Sequence, residues 1–372
     1  MNISLNKILL GLLSNRLGQS ATQLELRPRL KAMKGTLPVL TESEKKSIEH
    51  LWCGIGKGHI NFDYWRFYKA FIEDTVNPTF VPDNLYWSKI IRALNPVSLT
   101  RTFINKSLYP IIFNGLPQPK VIFNVINGVY YDCRMNKIRL KDAIKLLVHS
   151  EYDAIVKPTV ATSCGKGISK LSSSATEKEI TDRLKKYGQN YICQEIVRQS
   201  ASTARFNESS LNTFRINTVN INGKTTCECL MMRHGLNGNI VDNFAVGGVV
   251  CGMTKDGSFN GRNFNLQLEV TSHLPDQTPY NNLIVPEVSN AINLAIDAHQ
   301  RFMPHIGHAA WDFAINDSGM PVMIEVNLML PGIIMEQLTS ADSIFGERTE
   351  EVIQYALHRN RNLAWTEYVG GW

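Results

Sequence analysis

The spacing of apolar and polar positions changes character once along this chain. Over residues 1 to about 95 the apolar side chains recur at helical intervals. Thr41-Glu42-Ser43-Glu44 has the pattern of a capping box, in which hydroxyl and carboxylate each satisfy a backbone N–H, and it predicts a helix through Trp52. Aromatic residues between positions 64 and 73 continue that spacing, and Pro78, Pro82 and Pro96 punctuate the exit from the region. Beyond residue 96, strand-length runs alternate with short amphipathic segments. Residues 120–125 read as a strand ending at Asn127-Gly128, a dipeptide that tolerates the positive φ angles of a tight hairpin. Helices are predicted over 141–149 and 177–187, and strands over 154–158 and 191–197. Residues 213–221 and 224–233 form an antiparallel pair around Asn222-Gly223. A helix opens at Pro286, carries Val288, Ile292, Ala295, Ile296 and Phe302 at its apolar positions, and stops near Pro304. The last hairpin joins 310–316 to 321–327 through Asp317-Ser318-Gly319. Strand pairs mixed with helices predict an α+β protein, not a doubly wound parallel sheet.

Composition narrows the class. A chain of 372 residues has room for two or three modules with large cores, and 44% hydrophobic with 19% charged residues is the balance of an ordinary globular protein. The net charge of +6 suits a polyanionic ligand, but the charge is spread along the chain. With no basic block or aromatic-interleaved tract, nucleic acid is not an expected partner. The seven cysteines include no CxxC pair. Cys133, Cys193, Cys227 and Cys229 lie among strand-like apolar residues, which predicts buried free thiols and a reducing, cytoplasmic setting. Residues 8–13 form an apolar run too short for a secretory signal and without a small-residue cleavage site. An amphipathic helix is expected there, packed on the protein or touching the inner face of a membrane. No run approaches the roughly 20 apolar residues of a spanning helix.

Three segments carry candidate chemistry. In the last hairpin, Asp312 interrupts a run of apolar residues, and Glu325 and Asn327 stand two apart on the facing strand, so their side chains share one face. Two carboxylates and an amide oxygen form a hard-oxygen set suited to Mg²⁺ bridging nucleotide phosphates; the same spacing also suits solvent-facing residues on a half-exposed hairpin. Lys157 ends a buried strand and precedes Thr162-Ser163-Cys164-Gly165-Lys166-Gly167, a loop of small residues whose backbone N–H groups can approach phosphate. A surface turn with a snorkelling lysine fits as well, and GxxxxGK[ST] is absent. Gln194, Glu195 and Val197 line the exit of the next strand, where an extended backbone can meet the edge of a base. No Ser-His-Asp or Cys-His arrangement stands out, and His305 and His308 read as structural.

Taken in order, the strand lysine, glycine loop, apolar strand exit, arginine strand and closing Asp…Glu-x-Asn resemble the ATP-grasp superfamily. Asn105-Lys106-Ser107-Leu108-Tyr109, Leu211-Asn212-Thr213-Phe214-Arg215, Val241-Asp242-Asn243-Phe244-Ala245-Val246-Gly247-Gly248 and Glu325-Val326-Asn327 with Pro331-Gly332 resemble its sugar-transfer-associated branch, from about residue 100 to 340. The resemblance implies two α+β subdomains clasping ATP after a mostly helical region 1–95, with a small nucleotide-binding part over 96–200 and a large part over 201–372. It implies Lys106 and Lys157 on the phosphates, Gly165, Lys166 and Gly167 in a covering loop, and Gln194, Glu195 and Val197 around adenine. Arg215 would face the transferred phosphate, Arg233 would be a second phosphate arginine or a surface ion pair, and Asn243 would shape the acceptor side. Asp312, Glu325 and Asn327 would hold Mg²⁺. Cys164 departs from the small polar residue or glycine expected in the loop. The implied activity is ATP-dependent joining of a small-molecule carboxylate, such as a sugar acid, to an amine. A phosphotransferase and a nucleotide-binding scaffold in a polysaccharide assembly complex are the alternatives.

Overall fold

The computed structural model describes residues 29–30, 33, 35–58, 60–72, 76–148, 150–159, 167–236, 247–329 and 331–360. Two six-stranded antiparallel sheets organise them. The first has the order β3-β2-β1-β6-β4-β5, from β1 (Val121–Ile126), β2 (Val129–Asp132), β3 (Lys137–Ile138), β4 (Ala154–Pro158), β5 (Ser169–Leu171) and β6 (Tyr191–Glu195). The second has the order β10-β9-β8-β7-β11-β12, from β7 (Thr213–Ile221), β8 (Lys224–His234), β9 (Val249–Met253), β10 (Phe259–Phe264), β11 (His308–Ile315) and β12 (Pro321–Asn327). The hairpin dipeptides act as expected: Asn127 and Gly128 take φ of 50° and 78°, and Asn222 and Gly223 take 55° and 77°.

Helices α1 (Glu42–Gly56), α2 (Asp63–Lys69), α3 (Leu140–Val148), α4 (Glu177–Leu184), α5 (Val288–Phe302), α6 (Ile334–Ser340) and α7 (Thr349–Asn360) cover the sheets. The capping box of α1 forms in full, with Glu44 N donating to Thr41 Oγ1 at 3.2 Å and Thr41 N donating to Glu44 Oε2 at 2.7 Å. One face of the first sheet buries Phe123, Val125, Val156, Tyr191 and Cys193 with Ile144 and Leu147 of α3 and Ile180 and Leu184 of α4. Strand alternation therefore turns Lys157, Ile192 and Gln194 to the opposite face.

The second sheet is covered on both sides. Phe214, Ile216, Trp311, Phe313 and Met323 pack with Val288, Ala291, Ile292 and Ala295 of α5. On the other face Val219, Ile221, Cys229 and Met231 share a core with Trp52, Phe67, Tyr68 and Phe80 of the helical N-terminal region and with Leu338, Val352 and Ile353 of α6 and α7. This core explains the aromatic spacing read in residues 64–73.

One cysteine expectation fails. Cys193, Cys227 and Cys229 are buried, but Cys133 is exposed. It lies in the turn after β2, where Asp132 Oδ1 accepts from the backbone N–H of Arg134 and Asn136 at 2.9 and 2.8 Å, and that bonding ends the strand one residue before the cysteine. Strand 191–197 likewise stops at Glu195, because the next residues leave the ladder. The predicted helix over residues 1–13 lies outside the described residues. No helix among those described is long and apolar enough to cross a membrane.

Candidate active site

The site grows from a row of side chains across the second sheet. Register sets Arg215 of β7 opposite Asp312 of β11, and Asp312 opposite Glu325 of β12. Directly opposed residues project to one face, so β7, β11 and β12 present an arginine and two carboxylates side by side. Asn327, two positions beyond Glu325, joins them by an Nδ2–Asp312 Oδ2 contact of 3.4 Å. The predicted metal trio is thus brought together.

Asp312 is 5% exposed and does not stand free. Arg215 Nε reaches its Oδ1 at 2.7 Å, Arg215 Nη2 reaches its Oδ2 at 3.3 Å, and Arg233 Nη2 reaches its Oδ1 at 3.0 Å. Burial by itself would raise the Asp312 pKa, but the two guanidinium groups outweigh it and hold the carboxyl below its ordinary value. Arg233 is oriented by Thr213 Oγ1, at 3.2 Å from Nε and 2.9 Å from Nη2, and is no loose surface ion pair.

The lysines come from the first sheet's side. Lys106 opens the short 3₁₀ turn Lys106–Leu108, started by Asn105, whose side chain accepts from Ser107 N at 3.0 Å. Lys106 N donates to Thr159 O at 3.3 Å, which ties the turn to the end of β4, and Lys106 Nζ crosses to Glu325 Oε1 at 2.9 Å. Lys157, on β4, has its pKa pushed down to about 8, chiefly by burial, with Lys106 adding repulsion and Glu325 opposing it. The Lys106 N–Thr159 O bond, two residues beyond Lys157, sets the Lys106 turn beside the end of the strand that carries Lys157.

Four cations (Lys106, Lys157, Arg215, Arg233) therefore meet three carboxylates (Asp312, Glu325 and Glu336, which lies 3.4 Å from Arg215 Nη1). Among these seven described side chains the cations outnumber the carboxylates by one, and Lys157 is the most desolvated lysine of the group. Such a balance favours an anionic ligand over a cationic one. No group of three His, Cys, Asp or Glu among the described residues could hold a metal unaided. Two carboxylates and an amide fit an ion that arrives with phosphates, since Mg²⁺ keeps much of its coordination sphere for water and phosphate oxygens.

The expected base-binding segment is the hinge between the sheets. Gln194 is buried, and Glu195 pairs with Lys120 Nζ at 2.8 Å at the surface. Val197 lies in the connector that follows. Ile196 N donates to Asp153 O at 2.9 Å on the first-sheet side, whereas Asp317 N donates to Arg198 O at 2.8 Å and Ser200 N to Ile315 O at 2.9 Å at the tip of the final hairpin. Gly167 takes φ of 78°, and a Cβ there would sit 2.9 Å from Pro158 Cγ. Tyr187 Oη adds a bond to Gly167 O at 2.8 Å, fixing the end of the glycine segment beside Lys157. Gly165, Lys166 and Asn243 lie outside the described residues.

Sequence reasoning missed two groups. Tyr109 is buried with its hydroxyl donating to Val326 O at 3.3 Å, between Glu325 and Asn327 of β12, and burial followed by the charge of Glu325 raises its pKa. Glu336, 3% exposed on α6, holds Arg215; its available signal was a lone carboxylate in the apolar run Ile333-Ile334-Met335 after Pro331-Gly332. His308 is structural: Tyr86 Oη lies 2.9 Å from its Nδ1, and burial pushes its pKa down to about 3.

A family model described as sugar-transfer associated ATP-grasp matches residues 87–353. Among solved structures, the L-amino acid ligase from Bacillus licheniformis aligns with a TM-score of 0.40 at 14% identity, over 69% of this chain and 48% of that one, so the present chain spans about half of that ligase. The D-alanine-D-alanine ligase from Coxiella burnetii aligns with a TM-score of 0.38 at 14% identity, over 69% and 58% of the two chains. The biotin carboxylase domain of the Hydrogenobacter thermophilus 2-oxoglutarate carboxylase, solved with MgADP, aligns with a TM-score of 0.41 at 10% identity, over 72% and 47%. No curated protein matches the chain. The family match extends over well more than half of the sequence and contains both sheets and the whole charged row; the chain belongs to the sugar-transfer associated ATP-grasp family.

Proposed function

We propose that this protein is an ATP-dependent carboxylate–amine ligase acting through an acylphosphate, with ATP and Mg²⁺ bound between its sheets. The observation that carries the reading is the row Arg215, Asp312, Glu325 on the large sheet, facing Lys106 and Lys157 across the cleft. In the proposed division, residues 96–200 form the small nucleotide-binding part and 201–372 the large part. A carboxylate oxygen of the substrate attacks the γ-phosphorus, the bond to the β–γ bridging oxygen breaks, and ADP leaves. An amine then attacks the acyl carbon and loses a proton, and phosphate departs with the carboxylate oxygen.

The chain's tasks are neutralising charge and aligning reactants, which need no nucleophilic side chain. Lys106 and Lys157 take the nucleotide phosphates, with Gly165, Lys166 and Gly167 covering them. Gln194, Glu195 and Val197 line the adenine pocket. Arg215 and Arg233 meet the transferred phosphoryl group and the acyl oxyanion, and Asn243 shapes the acceptor side. Asp312, Glu325 and Asn327 would hold Mg²⁺, whose contribution is to screen the phosphate oxygens. A sugar acid as the carboxylate, an amino acid as the amine and a role in glycan assembly at the inner face of a membrane complete the reading, by family analogy.

The test is turnover of MgATP with a panel of sugar acids and hydroxylamine. Carboxylate-dependent ADP release together with hydroxamate formation supports the ligase. A stable phosphorylated product would replace it with a phosphotransferase, and no turnover despite tight nucleotide binding would replace it with a scaffold.

A further inference from the structure

The Asp312 carboxylate cannot satisfy two arginines and a metal at once. A carboxylate offers about four acceptor sites. Four nitrogens already approach this one: Arg215 Nε at 2.7 Å, Arg215 Nη2 at 3.3 Å, Arg233 Nη2 at 3.0 Å and Asn327 Nδ2 at 3.4 Å. Any ion that takes an Asp312 oxygen displaces one of these contacts, and Arg215, which makes two of them, loses most. A buried guanidinium that loses its partner is left with an uncompensated charge unless another anion is at hand.

Glu336 is that anion. Its Oε1 lies 3.4 Å from Arg215 Nη1, the one guanidinium nitrogen Asp312 does not use. Its own position does not depend on the site. The neighbouring Gln337 is locked into the N-terminal core, with Oε1 accepting from Val81 N at 2.8 Å and Nε2 donating to Tyr68 Oη at 2.7 Å and Val81 O at 3.1 Å. Cys229 Sγ donates to Glu336 O at 3.5 Å, which pins the helix to β8. Building on the nucleotide-binding reading of the cleft, we propose that Glu336 is a positioning residue: it retains Arg215, in place and charge-compensated, when Asp312 turns to the metal brought by ATP. The helical N-terminal region thereby acquires a function, as the anchor of the helix that presents Glu336.

The role predicts a defect in metal coupling, distinct from a defect in folding or in nucleotide recognition. In Glu336→Gln Asp312 is the carboxylate left bonded to Arg215, with only the more distant charge of Glu325 in support, and the guanidinium competes with the ion for it. Calorimetric affinity for a non-hydrolysable ATP analogue, with and without Mg²⁺, separates the contributions, and Mn²⁺ binding followed by electron paramagnetic resonance reads the ion directly. The metal-induced gain in nucleotide affinity, and Mn²⁺ affinity in the presence of nucleotide, fall by about 10-fold or more, as removal of a group orienting a metal ligand does. Metal-free nucleotide affinity changes less than about 2-fold. Glu336→Asp keeps the buried charge but withdraws it from Nη1, so it shows the same loss in a variant that preserves the core should Glu336→Gln fail to fold. A full metal gain in the variants overturns the proposal, and so does an equal loss with and without Mg²⁺, which marks a packing role. Wild-type protein that binds no nucleotide overturns instead the reading of the cleft on which the proposal rests.

Discussion

Lys157→Met offers a test in which stability and function move in opposite directions. The side chain it removes is a desolvated ammonium whose pKa falls from an ordinary 10.5 to about 8, mainly through burial and secondarily through Lys106. A shift of that size corresponds to about 3 kcal/mol spent on keeping the charged form in the cleft at pH 7. Solvent reaching the half-buried side chain lowers the expected relief to about 1–3 kcal/mol. Methionine fills a similar volume without charge, so the nucleotide-free variant is expected to be more stable than wild type by that amount. The sign of the pH dependence follows from the protons bound. Between pH 8 and 10.5 the unfolded chain holds the Lys157 proton and the folded protein does not, so wild-type stability rises with pH across that window. The advantage of the variant is therefore full below pH 8 and fades toward pH 10.5. Nucleotide affinity moves the other way: loss of one charge-assisted contact to phosphate costs about 1.5–3 kcal/mol, or roughly 10- to 150-fold. Urea denaturation at pH 7 and pH 10, with calorimetric titration of an ATP analogue, measures both. A variant less stable than wild type at pH 7, with a difference indifferent to pH, refutes the desolvation argument; unchanged nucleotide affinity refutes the assignment of Lys157 to phosphate.

Other perturbations follow from the same geometry. Lys106→Gln breaks the 2.9 Å pair with Glu325; nucleotide affinity is expected to drop about 10-fold while stability moves by less than about 1 kcal/mol, and a purely stability-based effect in calorimetry and denaturation would remove Lys106 from the phosphate site. Gly167→Ala places a Cβ 2.9 Å from Pro158 Cγ at φ of 78°, so denaturation is expected to show a loss of about 1–2 kcal/mol, and a neutral substitution would contradict the tight approach. Burial holds His234 and His299 near pKa 4 and His308 near 3, below an ordinary 6.5. Unfolding then takes up protons below pH 6.5, so stability is expected to fall on acidification by about 2 kcal/mol for each of them at pH 5. Potentiometric proton uptake on unfolding checks this, and no uptake at pH 5 would contradict it.

How much of this was readable from sequence depended on the range of the interaction involved. Turn dipeptides and the Thr41–Glu44 box act within a few residues, and both hairpins and the start of α1 appear where local chemistry puts them. The convergence of Asp312, Glu325 and Asn327 was legible because two-residue periodicity is strict on a strand and because Asp-Ser-Gly fixes the hairpin that sets Asp312 opposite Glu325. Glu336 showed only as a lone carboxylate in an apolar run, since its meaning depends on contact with Arg215, 121 positions away. Cys133 misled for the converse reason: its neighbours have strand character, but Asp132 accepts bonds that close a turn just before it. The helical N-terminal region carried no chemical motif because its contribution is a core shared with the second sheet.

The central claim is that ATP activates a carboxylate in this cleft, and the fate of that carboxylate's oxygen tests it most directly. A turning-over substrate acid labelled with ¹⁸O in its carboxylate is converted with MgATP and amine, and the released phosphate is examined by ³¹P NMR. An acylphosphate pathway delivers one ¹⁸O atom into each inorganic phosphate, and Lys157→Met slows its appearance. Unlabelled phosphate, or a γ-phosphoryl group that stays on the product, would contradict the account.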